Sequence, residues 1–186
     1  DIVRGDIIDM LGLRDPMQLV TGFDRPNLYF EVRSPANKNQ ELLQLLAERR
    51  DRSGIVYCGT RATVDKVCEL LRRRGFNAVR YHAGLSDDER AGAQEAFQYD
   101  KADIMVATNA FGMGIDKSNV GYVIHYNMPK SIDAYYQEAG RAGRDGSDAD
   151  CILLYSSSDA ALAMHLLNNS ENGPSEADLD RLSYMR

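Results

Sequence analysis

Short β-rich runs take turns with helical stretches through most of this chain, and that alternation limits its fold more than any other feature. NLYFEVR, SGIVYC, FNAVRYH, DIMVAT, VGYVIHY and CILLYS read as strands, rich in β-branched and aromatic residues. Between them NKNQELLQLLAERR, RATVDKVCELLRRR, SDDERAGAQEAFQYD and SIDAYYQEA carry apolar residues at helical spacing. Local signals agree: Ser86 caps a helix with Glu89 three residues on, Ser131 stands at the start of another, and Gly75 follows the end of a third. Strand alternating with helix builds βαβ units, so the expected fold is α/β, a mostly parallel sheet with helices on both faces. DIVRGDIIDMLGL reads as a helix ahead of this pattern, joined to it by the irregular crossing LRDPMQLVTGFDRPN. A further helix is expected from about Asp159 to Leu167, followed by a polar tail.

Bulk properties narrow the function. The 186 residues suffice for one well-cored domain. A formal net charge of −6 counts against a broad basic surface for duplex DNA, yet leaves room for local phosphate contacts. No apolar run nears the roughly 18 residues of a membrane span, so no membrane partner is expected. Cys58, Cys68 and Cys151 form no CxxC pair, which supports neither a disulfide framework nor a zinc site and fits a reducing compartment. Cys68 shares a helical face with Val64, Val67 and Leu71 and reads as a small buried residue.

Open parallel sheets bind ligands outside the carboxyl ends of their strands. SGIVYC is followed by GTR, where Thr60 and Arg61 open a helix either as a cap with a solvated cation or as an anion site. FNAVRYH leads into HAGLS; His82 reads as a local hydrogen-bonding residue, with no partner at metal spacing. DIMVAT leads into NAFGMGIDKSNV, where Thr108 and Asn109 can donate to phosphate, Gly112 and Gly114 let the backbone come close, and Asp116 can accept from a sugar hydroxyl. Phe111 and Met113 fit the core.

YYQEAGRAGRDG adds two fixed cations, Arg141 and Arg144, three residues apart between glycines that a plain surface helix would not favour. Together with the three strand-end loops it points to a polyanion lying across one face. No GxxxxGKS or GxxxxGKT loop is present, so arginines suited to a nucleoside triphosphate stand without a phosphate cradle.

Taken together, SGIVYCGTRATVD, YHAGLS, ATNAFGMGIDKSNV and YYQEAGRAGRDG, with FDRPNL at 23–28, resemble motifs IV, IVa, V and VI of superfamily 2 helicases, most closely the RecQ family of ATP-dependent DNA helicases. DEAD-box RNA helicases usually carry histidine where Gln137 stands. The resemblance implies a three-layer RecA-like domain at 26–168, the end of a first lobe and a linker at 1–25, and the start of a following region at 169–186. It implies a 3′-to-5′ DNA helicase of DNA repair and recombination. Arg144 matches the arginine finger, with Arg141 and Gln137 as its neighbours in catalysis; Asp116, Gly114, Arg141 and Arg144 match nucleotide-facing positions. Thr60, Arg61, His82, Gly84, Thr108 and Asn109 match positions beside single-stranded DNA.

ATP and Mg2+ are expected to be held mainly by a first RecA-like lobe, which these residues lack, so the chain alone is expected not to hydrolyse ATP. Zinc is expected only in a four-cysteine module beyond this chain. Implied partners are single-stranded DNA, duplex junctions and the first lobe, in the cytoplasm and on the nucleoid if the source is bacterial. An RNA helicase lobe and a non-motor α/β binding module are the alternatives.

Overall fold

All strand pairings in the sheet are parallel. The structure, a computed structural model, describes residues 2–14, 16–17, 25–112, 116–157 and 159. In chain order the elements are α1 (Ile2–Leu11), β1 (Leu28–Arg33), α2 (Lys38–Ala47), β2 (Ser53–Tyr57), α3 (Arg61–Arg73), β3 (Ala78–Tyr81), α4 (Asp87–Gln98), β4 (Ile104–Ala107), β5 (Val120–His125), α5 (Ile132–Ala139) and β6 (Ala149–Leu154). The six strands lie in the order β1-β6-β5-β2-β4-β3. The expected α/β fold is therefore present, with a sheet that is parallel throughout.

Helices lie on both faces and bury the central strands, while the edge strand β1 keeps Tyr29, Phe30 and Val32 exposed. On one face Leu42, Leu45, Val64, Cys68 and Leu71 of α2 and α3 meet Val56, Ile124 and Ile152. On the other, Phe97 of α4 and Ala139 of α5 meet Ile55, Met105, Val123 and Cys151. β4 is buried along its whole length, which is why it reads as a continuous apolar run. Phe111 and Cys68 are buried as expected.

Caps set where the helices begin. The side chains of Asn37, Thr60, Ser86 and Ser131 each accept from a backbone N–H three residues on, and Ser86 with Glu89 completes a capping box. Tyr135 of α5 packs against Phe30 and His125, whereas its neighbours Ile132 and Tyr136 stay largely exposed, so the face expected for all three is only partly covered. Of the helix expected at 159–167 only Asp159 is described; it is buried and accepts from Lys38 at 2.5 Å and Asn127 at 2.9 Å. Residues 169–186 and Met113 lie outside the described residues.

Candidate functional site

β2, β4 and β3 are neighbours in the sheet, so the loops after them share one edge. Thr60 spends its hydroxyl inside the loop, accepting from Thr63 N at 3.1 Å and pairing with the Thr63 hydroxyl at 2.8 Å. Arg61 is exposed and lies against Gly84, where a Cβ would stand 3.2 Å from its Cδ. This brings Arg61 and Gly84 together as the surface of that edge. Asn109 is exposed and Thr108 half-buried, its N–H donating to Tyr81 O at 3.2 Å.

His82 faces inward. It is buried, its Nδ1 accepts from the Gly84 N–H at 3.2 Å, and that leaves the proton on Nε2 to donate to Asp65 at 3.2 Å. Asp65 also accepts from Arg80 at 2.6 Å. Burial works to raise its pKa, but the hydrogen bonds from His82 and Arg80 outweigh it and hold the carboxyl below the usual range. The sequence reading of His82 as a local hydrogen-bonding residue agrees with this geometry; its ring shapes the loop that presents Gly84. Nothing local in the sequence marks Asp65 as the residue His82 needs, so sequence reasoning misses it.

The arginine turn does not join that edge. A helix after a parallel strand runs back along the sheet, so the end of α5 returns toward the amino end of β5. There the Gly143 N–H donates to Val120 O at 2.8 Å and the Asp145 N–H to Ser118 O at 3.3 Å. The helix also stops at Ala139, so Arg141 and Arg144 sit in a turn rather than on one helical side. Gly143 has φ +56°, and a Cβ on it would lie 2.5 Å from Asn27 Nδ2 and 2.6 Å from Ser147 O. The close approach that requires this glycine is therefore within the domain.

What links the two regions is the stretch leaving β4. Arg141 Nη1 donates to Gly112 O at 2.6 Å, and the Tyr57 hydroxyl donates to Phe111 O at 3.2 Å. Gly112, with φ +137°, lies close against Arg141: a Cβ there would lie 2.1 Å from the guanidinium carbon. Burial pushes the Tyr57 phenol above its ordinary pKa, while the positive charges of Arg141 and Arg144 oppose that rise. Arg144, Gln137 and Asp116 are exposed; Gly114 lies outside the described residues.

Three side chains that sequence reasoning passed over lie between these regions. His125, the last residue of β5, meets Glu138 at 2.9 Å, and its ring stacks on Tyr57 at 5.4 Å. A cavity of about 50 Å³ opens beside them, lined by Tyr57, Cys58, Asn109, Asn127, Lys130 and Glu138. No metal-holding cluster of three or more His, Cys, Asp or Glu exists among the described residues. The three cysteines are buried and unpaired, and burial pushes the Cys151 thiol up to about 12. Among the described residues no helix is long and apolar enough to cross a membrane.

Residues 37–146 match the family description of the helicase conserved C-terminal domain. The chain belongs to that family. This helicase C-terminal domain is 44% identical over 184 residues to the ATP-dependent DNA helicase RecQ of Bacillus subtilis, a match covering 98% of the chain and 31% of the relative. It is 41% identical over 171 residues to the RecQ of Pasteurella multocida, covering 92% of the chain and 27% of that relative. An ATP-dependent DNA helicase Q-like protein of Arabidopsis thaliana is 39% identical over 173 residues, 92% of the chain and 15% of the relative. The resemblance to RecQ helicases drawn from the motifs is thus borne out. The helicase domain spans less than a third of the length of these curated relatives.

Proposed function

We propose that this domain is the second RecA-like lobe of an ATP-dependent 3′-to-5′ DNA helicase, working with a first lobe that holds most of ATP and Mg2+. The observation that carries the reading is the hydrogen bond from Arg141 to Gly112 O, which ties the arginine turn to the stretch that begins with Thr108 and Asn109 at the strand-end edge. A motor needs its nucleotide-facing and strand-gripping parts to move together, and such a tie supplies that.

In this reading Arg144 is the finger that stabilises charge on the transferring phosphoryl group, a contribution of about 10³ to 10⁵ in rate for such arginines. Arg141 and Gln137 support it, and Asp116 faces the ribose. Arg61, Gly84, Thr108 and Asn109 follow the backbone of one DNA strand beside a duplex junction, with Thr60 capping the helix behind them and His82 holding the loop in shape. The planar, always charged guanidinium suits phosphate better than an ammonium would. ATP and Mg2+ supply the phosphoryl chemistry; this chain supplies cations and no cradle, so by itself it is inactive.

The test is Arg144→Ala in the full-length protein. ATPase stimulated by single-stranded DNA should fall about 10³-fold or more while ATP binding stays close to wild type. Undiminished turnover would overturn the finger assignment, and stimulation by RNA in preference to DNA would move the reading to an RNA helicase.

A further inference from the structure

Glu138 and His125 form a buried polar pair that the proposed chemistry does not use. His125 is 1% exposed and Glu138 8%. Burying such groups costs free energy that an apolar pair of the same size would not. A polar pair does what an apolar one cannot: it sets a direction and a distance, here 2.9 Å between Nε2 of His125 and the Glu138 carboxylate.

The surroundings turn that distance into a closed ring of contacts. The imidazole lies between the Tyr57 ring, stacked at 5.4 Å and 24°, and the Tyr135 ring at 4.8 Å. Tyr57 donates through its hydroxyl to Phe111 O. Gly112, the next residue, accepts from Arg141, and the Arg141 N–H donates at 3.3 Å to the backbone oxygen of Glu138. The ring runs His125, Glu138, Arg141, Gly112, Phe111, Tyr57 and back to His125. It joins the ends of β2 and β5, the last turn of α5 and the stretch after β4.

We propose that Glu138 and His125 are positioning residues that hold the arginine turn in register with the stretch after β4, so that Arg141 and Arg144 face the nucleotide in one fixed arrangement. Their catalytic consequence rests on the helicase reading above; their mechanical role does not.

The test compares wild type, Glu138→Ala, Glu138→Gln and His125→Phe in the full-length protein, by amide hydrogen exchange and by steady-state ATPase with single-stranded DNA. In Glu138→Ala, exchange at 140–146 should rise about tenfold or more while β2 and β4 stay protected. The kcat should fall on the order of 10²-fold, as expected for misplaced groups, with KM for ATP within about twofold. Glu138→Gln, which still hydrogen-bonds the imidazole, should restore most of both.

His125→Phe keeps a ring between Tyr57 and Tyr135 and should behave like Glu138→Ala; it carries the comparison if the alanine variant does not fold. Unchanged exchange at 140–146 in the pair-breaking variants, or a rise in KM with kcat intact, would overturn the proposal. A wild-type protein lacking DNA-stimulated ATPase would overturn the helicase reading instead, and the exchange comparison would still decide the role of the pair.

Discussion

Arg141 reaches Gly112 across 29 residues of sequence, donating a 2.6 Å hydrogen bond to its carbonyl oxygen, and only a residue without a Cβ leaves room for the guanidinium. The glycine of one motif is the seat for the arginine of another. Two segments that look like separate anion-binding elements therefore form one unit.

Gly112→Ala should expel Arg141 from that seat. The added carbon would lie 2.1 Å from the guanidinium carbon, on a backbone at φ +137° that an L residue rarely adopts. Strain of this kind costs about 1–3 kcal/mol, and each kcal/mol lowers Tm by roughly 2–4 °C in a chain of this size. A thermal melt of this domain checks the loss, and an unchanged Tm would show that the stretch relaxes freely.

Gly54→Ala should be the more damaging substitution. Gly54 is buried in β2, and its Cβ would meet the Tyr122 ring at 2.0 Å in the middle of the sheet. Overpacking of a core costs about 1–3 kcal/mol and sometimes more. Denaturant unfolding should show a lower midpoint than for Gly112→Ala, with partial recovery when Tyr122→Leu is added.

Gly92→Ala should stabilise. Gly92 lies inside α4 without positive φ, and among the described residues no heavy atom beyond its chain neighbours and the helix's own nearby backbone stands within 4 Å of the place an added Cβ would take. Alanine gains roughly 0.8–1 kcal/mol over glycine in a helix interior. The denaturation midpoint should rise with the slope unchanged.

Acid should unfold the domain in part through Asp150. Burial works to raise its pKa, but hydrogen bonds from Arg49 at 2.8 Å and Arg52 at 2.6 Å outweigh it and hold the carboxyl below the usual range. A folded pKa below the unfolded one means stabilisation that is complete above about pH 4 and is lost as pH falls through the folded value. Asp65 and Asp100 are shifted in the same direction, so they add to the same acid limb. Asp150→Asn should lower stability at pH 7 and make it fall less steeply below about pH 4, as read from denaturant midpoints across pH.

Single-strand binding by the full-length protein should weaken with salt by about 0.7 log unit per phosphate contacted. Arg61→Ala, at the exposed edge beside Gly84, should lower that slope by about one contact. An identical slope in the variant would remove Arg61 from the DNA path.

Sequence by itself determined what depends on neighbours a few residues away. The βαβ alternation, the caps at Thr60, Ser86 and Ser131 and the buried face of Cys68 follow from hydrogen bonds and apolar spacing within one or two helical turns. Only the tertiary structure decided what those elements meet. The strand order sets the loops after β2, β3 and β4 on one edge, while the return direction of α5 carries the arginine turn to the far end of β5. His82 turns inward because Asp65, 17 residues earlier, arrives beside it on α3. Gly112 receives an arginine, and His125 receives Glu138, for the same reason. Such pairings come from burying both faces of one sheet, and no short stretch of sequence carries that information.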